Sequence, residues 1–184
     1  KEGELKDAGS VRVLQDGRVL PLQTKVTSRH KDGSVRFLFL RFLADLPGNR
    51  KAVLQCDLQG EKCQETKEEG SEPDGSKPAI KVSEGENGIG VRTSCGDEKG
   101  EFSFEVRDES DGIFEQLDAL GRKYGKDQFT GPFLKDGDGN CYNMKIGCWK
   151  VVEAGPICAI LKAKGTNAGH SQNVDFELKL TAWA

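Results

Sequence analysis

The residues best able to do chemistry in the first half of the chain lie at one polar turn. Arg29, His30, Lys31 and Asp32 follow one another just before an apolar run that begins at Val35. A histidine beside a carboxylate can serve as a general base only when its partner lies within hydrogen-bond reach. Consecutive residues at a turn point in different directions. We therefore interpret Arg29 and His30 as weak contacts for a ligand, and the sequence identifies no residue as catalytic.

A second candidate is the segment Asp136-Gly137-Asp138-Gly139-Asn140, which resembles the start of a calcium-binding loop. An EF-hand loop needs glycine at its sixth position and glutamate at its twelfth. Those positions hold Cys141 and Gly147 instead. The segment is better interpreted as a tight turn between strands, and we predict no metal site.

The six cysteines leave two interpretations open. Their spacing matches no zinc knuckle, in which two residues separate each pair of ligands. Disulfides would form in an exported protein, whereas we expect most of the cysteines to be buried thiols that pack as small hydrophobes. The sequence has no phosphate loop and no complete dinucleotide fingerprint, so no cofactor is expected. The cysteines are Cys56, Cys63, Cys95, Cys141, Cys148 and Cys158.

These clusters lie among predicted strands. In residues 1–64, Asp16-Gly17 separates two β-rich runs and predicts a hairpin. The run Val35–Leu43 is apolar on both faces, which is typical of a strand buried on both sides. We predict a small β-barrel over residues 1–64, with Phe37 and Phe39 in its core.

The second half of the chain has a different pattern. Residues 65–78 carry no large hydrophobic side chain, which predicts a linker or loop. From 79 to 184 short runs alternate between apolar and polar residues, most clearly in Val174–Trp183. A lone strand cannot satisfy its own backbone, so we expect this one to pack within the chain. The predicted fold is all-β, a small barrel followed by an antiparallel β-sandwich-like unit over 79–184.

The overall charge argues against one class of partner. The formal net charge is −3, and bases alternate with acids along the chain. Nucleic-acid binding needs a clustered basic face, so no nucleic-acid partner is expected. No apolar run approaches the ~20 residues that a membrane span requires, so no membrane span is expected. The compartment is not fixed by the sequence, although we lean toward an extracellular location.

Several short motifs carry a family resemblance. Asp32-Gly33-Ser34-Val35-Arg36-Phe37-Leu38 is similar to Asp-Gly-Ser-Val-Lys-Trp-Leu, with Phe37 in place of the usual Trp. Gly3-Glu4-Leu5-Lys6-Asp7, Ala44-Asp45-Leu46-Pro47-Gly48 and Val151-Val152-Glu153-Ala154-Gly155-Pro156 match further elements. Together they resemble the N-terminal part of the exo-acting rhamnogalacturonan lyase and YetA-like family. The resemblance implies a RIFT-type β-barrel, a β-rich region and, in longer members, a downstream catalytic portion.

The resemblance also implies a function. The chain would be a non-catalytic N-terminal accessory region of a pectin-active polysaccharide lyase, with carbohydrate and a downstream catalytic domain as partners. Two alternatives stay open, namely a stand-alone carbohydrate-binding module and a structural protein that forms homo-oligomers through β-strand edges. Sugar sites favour exposed rings, so we predict Tyr124 and Trp149, with Arg29 and His30, as weak carbohydrate contacts.

Overall fold

The computed structural model describes residues 2–44, 46, 48–49, 51–58, 79–94, 101–169 and 172–184. Over these residues the chain forms four antiparallel sheets and two short 3-10 turns, without an α-helix. This confirms the all-β prediction. In the same residues no helix has the length and hydrophobicity needed to cross a membrane.

The chain divides into two compact units, Lys1–Asp74 and Gly75–Ala184. The predicted linker at 65–78 lies outside the described residues. Each unit has its own buried cluster of hydrophobic side chains.

The first unit contains a three-stranded sheet and a two-stranded sheet. The three-stranded sheet has the order β2-β1-β5, and the other pairs β3 with β4. In the β1–β2 hairpin the turn residues Asp16 and Gly17 both have positive φ, as the sequence predicts. Neither sheet closes on itself within the described residues, so the barrel part of the fold prediction is not confirmed. The strands are β1 (Arg12–Gln15), β2 (Arg18–Val19), β3 (Leu22–Arg29), β4 (Val35–Phe42) and β5 (Leu54–Asp57).

The prediction that Phe37 and Phe39 belong to the core of this unit is wrong. Their side chains are 58% and 50% exposed, whereas Leu38 and Leu40 pack against the buried cluster that includes Val35. The register of β3 and β4 shifts twice, between Val26 and Ser28 and between Ser28 and Arg29, and the second shift leaves Arg36 as an extra residue on β4. Such a bulge inserts one residue and moves every later side chain to the opposite face. Leu38 therefore takes the core position that strict alternation gives to Phe37.

The second unit consists of a five-stranded sheet and a four-stranded sheet. Their orders are β10-β9-β8-β7-β6 and β11-β12-β13-β14. The five-stranded sheet contains β6 (Ala79–Gly85), β7 (Gly88–Ser94), β8 (Phe102–Arg107), β9 (Gln116–Ala119) and β10 (Arg122–Gly125). The four-stranded sheet contains β11 (Phe133–Lys135), β12 (Cys141–Ala154), β13 (Cys158–Gly169) and β14 (Gln172–Trp183).

One hydrophobic cluster joins these two sheets. Ile89, Val91, Phe104 and Val106 from β7 and β8 share it with residues of β12, β13 and β14. Two sheets that bury their inner faces against each other form a sandwich, as predicted. Strand β14 pairs with β13 inside the chain, and Phe176, Leu178 and Leu180 pack on the common cluster. The expected intramolecular packing of this strand is thus confirmed.

A bulge in β12 allows apolar side chains on both sides of it to face the core. Tyr142, Met144 and Ile146 are buried, and the register then shifts between Ile146 and Cys148. After this shift Trp149 is buried, although it is three residues beyond Ile146. The extra residue therefore turns the side chain of Trp149 toward the core, where strict alternation would turn it outward.

The expectation that most cysteines are buried is wrong for those the structure describes. Cys56, Cys141 and Cys148 are exposed, and Cys158 is buried. Cys141 and Cys148 both lie on β12, where the buried positions next to them belong to Tyr142 and Trp149. Cys63 and Cys95 lie outside the described residues.

Candidate functional site

The outer face of the five-stranded sheet carries a group of polar side chains that could form a site. Alternate residues of each strand point to opposite faces. Val82, Val91 and Phe104 lie on the inner face, so Lys81, Arg92 and Ser103 lie on the outer one. The apolar residues on the inner face form the core of the sandwich, and the polar residues on the outer face are available to contact a ligand.

Cross-strand register aligns five of these outer residues in one row. Lys81 is opposite Arg92, Arg92 is opposite Ser103, Ser103 is opposite Asp118, and Asp118 is opposite Lys123. Neighbouring strands lie about 4.8 Å apart, so the row extends over about 19 Å. Lys81 and Arg92 lie at one end of the row and Lys123 lies at the other. The hydroxyl of Ser103 and the carboxylate of Asp118 lie between them.

A second row runs beside the first, two residues further along each strand. It places Ser83 opposite Gly90, Gly90 opposite Glu105, and Glu105 opposite Gln116. Gln116 donates from Nε2 to Oδ2 of Asp118 at 3.2 Å, which ties the two rows together. The two rows form a mixed set of hydrogen-bond donors and acceptors. We call this surface the outer groove.

Glycines form the floor of the outer groove on β7. A Cβ at Gly88 would lie 2.4 Å from the Val106 carbonyl oxygen, and one at Gly90 would lie 2.7 Å from Ser83 Oγ. A glycine inside a strand commonly marks a place where a ligand or another backbone approaches closely. At Gly88 the neighbouring backbone occupies the space, whereas at Gly90 a rotatable hydroxyl does.

The groove consists of two adjoining depressions of about 580 and 440 Å³, which share Ser83, Gly90 and Glu105. Both volumes are in the range of ligand sites. At the end near the β6–β7 turn, Arg107 Nη1 lies 3.4 Å from Glu115 Oε1. This ion pair holds a guanidinium and a carboxylate beside the glycine floor.

Asp118 has one oxygen whose hydrogen bond is missing. Oδ2 accepts from Gln116, but Oδ1 is buried and has no partner among the described residues. A buried acceptor without a donor costs about 1–3 kcal/mol. A ligand hydroxyl or a water molecule in the groove would supply that donor.

The predicted contact residues Arg29 and His30 lie at the β3–β4 turn of the first unit. Arg29 Nη1 donates to the Gly33 carbonyl at 2.8 Å, so its guanidinium braces the turn. The His30 backbone N–H donates to the Ser34 carbonyl at 2.8 Å. Asp32 accepts hydrogen bonds from the hydroxyl and N–H of Ser34, and these bonds lower the pKa of its carboxyl. These contacts all serve the turn.

The other two predicted residues belong to the second unit, and neither presents an open ring. Trp149 is 5% exposed and packs in the core, so its ring is not available as a sugar platform. Tyr124 is half-buried, and its ring contacts Phe129 with 6.5 Å between centroids. The bulge in β12 explains the burial of Trp149. Within the second unit, these two rings therefore do not form an open aromatic platform.

The segment Asp136–Asn140 forms the predicted turn, between β11 and β12. Asp136 accepts hydrogen bonds from the N–H groups of Asp138 and Asn140, from Asn140 Nδ2 and from the Tyr142 hydroxyl. These bonds lower the pKa of Asp136 to about 2, with the Asn140 side chain as the largest cause. Both carboxylate oxygens are engaged within the turn. The part of the chain that the structure describes contains no cluster of metal-ligating side chains.

The outer groove is absent from the predicted site residues, although the sequence carries a signal for it. Apolar and polar residues alternate in β6 and β8, and the outward-facing residues of the sheet taken together include both charges, an amide and glycine. This pattern identifies a site only when the register of the strands is known, because the register aligns the outer residues in rows. No protein-family model, curated protein or solved structure matches the chain, so the resemblance to the lyase family stays an expectation carried by short motifs.

Proposed function

We propose that the chain is a non-catalytic accessory region of a carbohydrate-active protein and that its outer groove holds an extended glycan. The observation that supports this proposal is the pair of polar rows over the glycine floor of β7. Glycan hydroxyls both donate and accept hydrogen bonds. Lysine and arginine only donate, ionised carboxylates only accept, and glutamine does both.

The charges of the groove favour a particular arrangement of ligand. Lys81 and Arg92 lie together at the β6–β7 side, and Glu105 and Asp118 lie on β8 and β9. An arginine fork binds a carboxylate through two parallel hydrogen bonds. An acidic sugar would place its carboxylate at Arg92 and its hydroxyls toward Asp118 and Gln116. The family resemblance makes the uronate-containing backbone of pectin the first polysaccharide to test.

The test is isothermal titration calorimetry of the whole chain with rhamnogalacturonan oligosaccharides, oligogalacturonate and a neutral galactan. Arg92→Ala and Asp118→Ala should each weaken binding about tenfold, because each removes a charge-assisted hydrogen bond. Lys150→Ala, on the outer face of the other sheet, should bind as the unchanged chain does. Absence of binding to all three glycans would overturn the proposal.

A second measurement addresses the non-catalytic part. Incubation with the acidic polysaccharide should produce no unsaturated uronate, which is detected by its ultraviolet absorbance. Accumulation of that product, abolished by Asp118→Ala, would show that the groove is an active site.

A further inference from the structure

Strand β14 is an unusually regular sheet edge. Among the described residues of the second unit it pairs only with β13, and its other side ends the four-stranded sheet. The twelve residue pairs from Cys158/Trp183 to Gly169/Gln172 follow without a register shift. Half of the backbone N–H and C=O groups of such a strand point away from its neighbour.

Proteins usually protect such edges. Common devices are short strands, charged side chains, prolines and bulges. The opposite edge strand of the same sheet, β11, has three residues, and β10 at the edge of the other sheet has four. Strand β14 has twelve, and its sequence Gln172–Trp183 contains neither proline nor glycine. Its length and regularity make it suited to pairing with another strand.

The charges of β14 are self-complementary in one register. Consider two copies paired antiparallel about a two-fold axis through Leu178. Glu177 of each copy then lies opposite Lys179 of the other, and Asp175 lies opposite Thr181. Moving the axis to Glu177 also forms two Asp175–Lys179 pairs but brings two glutamates together between them, and moving it to Lys179 brings two lysines together, so only the axis at Leu178 of these three avoids a like-charge pair. Opposite charges across a strand pair stabilise it and like charges destabilise it.

The contacts of the single chain are consistent with this register. Lys179 lies directly opposite Lys162 of β13, and Lys162 forms its ion pair with Glu177 instead. A carboxylate from a second copy would offset the repulsion between the two lysines. Val174 and Trp183, near the two ends of β14, are 40% and 56% exposed. In this register Val174 meets Ala182 of the second copy, and Asn173 meets Trp183.

We propose that two copies of this chain associate through β14 in this register, which joins two four-stranded sheets into one of eight strands. The interface is isologous, as two-fold symmetry requires. It uses a sheet edge, whereas the glycan proposal uses the outer face of the other sheet. The two proposals are therefore independent.

A charge-swap series tests the register. The unchanged chain should sediment as a dimer in analytical ultracentrifugation, at twice its mass of 20.1 kDa. Glu177→Lys and Lys179→Glu should each weaken the dimer at least about tenfold, because each makes two like-charge pairs. Mixing the two single variants should restore a dimer, since the two lysines of one copy then face the two glutamates of the other. The double variant should also dimerise.

Three outcomes would overturn the proposal. The first is an unchanged chain that stays monomeric up to about millimolar concentration, where weak association is detectable. The second is a dimer that neither single variant weakens. The third is a mixture of the single variants that stays monomeric while each variant remains folded by circular dichroism.

Discussion

The carboxylate of Asp108 accepts a hydrogen bond from the backbone N–H of Trp149, with 2.7 Å between Oδ1 and the nitrogen. Trp149 follows the bulge of β12, where the ladder to β13 is interrupted. Two more bonds attach the same loop, from Glu109 N–H to the Gly147 carbonyl at 2.8 Å and from Ile146 N–H to the Ser110 carbonyl at 2.7 Å. The loop after β8 is thus attached to the bulged segment of β12 by three hydrogen bonds.

Asp108→Ala should destabilise the second unit by about 1–3 kcal/mol, because it leaves the Trp149 N–H without its acceptor. Denaturant unfolding followed by tryptophan fluorescence measures this, since both tryptophans belong to the second unit. Glu101→Ala removes an exposed carboxylate next to β8 and should change the stability by less than about 0.5 kcal/mol. Equal effects of the two variants would contradict the role of Asp108.

The turn at Asp136 should make stability depend on acid pH. The pKa of Asp136 is lowered to about 2 from its usual 3.8, so the folded state favours the ionised carboxylate. The stabilisation is complete above the unfolded pKa and is lost as pH falls through the folded pKa. Melting temperature should therefore drop between about pH 4 and pH 2. Asp136→Asn should flatten that part of the profile.

The matched control for this prediction is Asp138→Asn, which removes the same charge from the same turn. Its carboxylate accepts none of the hydrogen bonds that close the turn, because those go to Asp136. The acid-dependent drop should persist in this variant. A drop that disappears in both variants would assign the effect to loop charge in general.

The exposure of Phe39 predicts a small effect of its removal. Arg41 lies over the ring at 4.7 Å from its centroid, and such an exposed contact is worth about 0.5–1 kcal/mol. Phe39→Ala should therefore cost no more than about 1 kcal/mol. Leu5→Ala, at a side chain that is 8% exposed, should cost about 2–5 kcal/mol. Hydrogen exchange of the β4 amides, read by mass spectrometry, measures both. The reverse order would restore Phe39 to the core.

Gly88→Ala should destabilise the second unit by about 1–3 kcal/mol, since its Cβ would lie 2.4 Å from the Val106 carbonyl oxygen and the strands must separate. Gly125→Ala is the matched control on β10, because its Cβ would meet nothing within 4 Å. We expect a change of less than about 1 kcal/mol there, toward higher stability. Thermal unfolding followed by fluorescence compares the two.

The sequence predicts the strands and the sandwich because alternation of apolar and polar residues is a local property. The clearest example is β14, where Phe176, Leu178 and Leu180 alternate with charged residues and do face the core. The turns at Asp16-Gly17 and Asp136–Asn140 are also predictable, because their residue types favour positive φ or accept backbone hydrogen bonds.

Two burial predictions fail because one inserted residue changes the face of a strand. Phe37 shares the parity of Val35, but the β3–β4 bulge turns it outward. Trp149 is predicted to present its ring to a sugar, and the β12 bulge turns it inward. A bulge depends on pairing with a neighbouring strand and leaves no mark in composition. The outer groove escapes prediction for a related reason, since five strands must be in register before its rows exist.

The bulge of β12 determines which of the side chains after Ile146 face the core. If the bulge were absent and the same residues alternated strictly from Ile146 onward, inside and outside would be exchanged in the stretch that follows. Lys150 and Val152 would turn toward the core, and Trp149 would turn to solvent. The number of residues in this strand thus carries structural information independent of their identities. Relatives of this chain should therefore be aligned by the face that each residue occupies, even where that requires a one-residue gap within a strand.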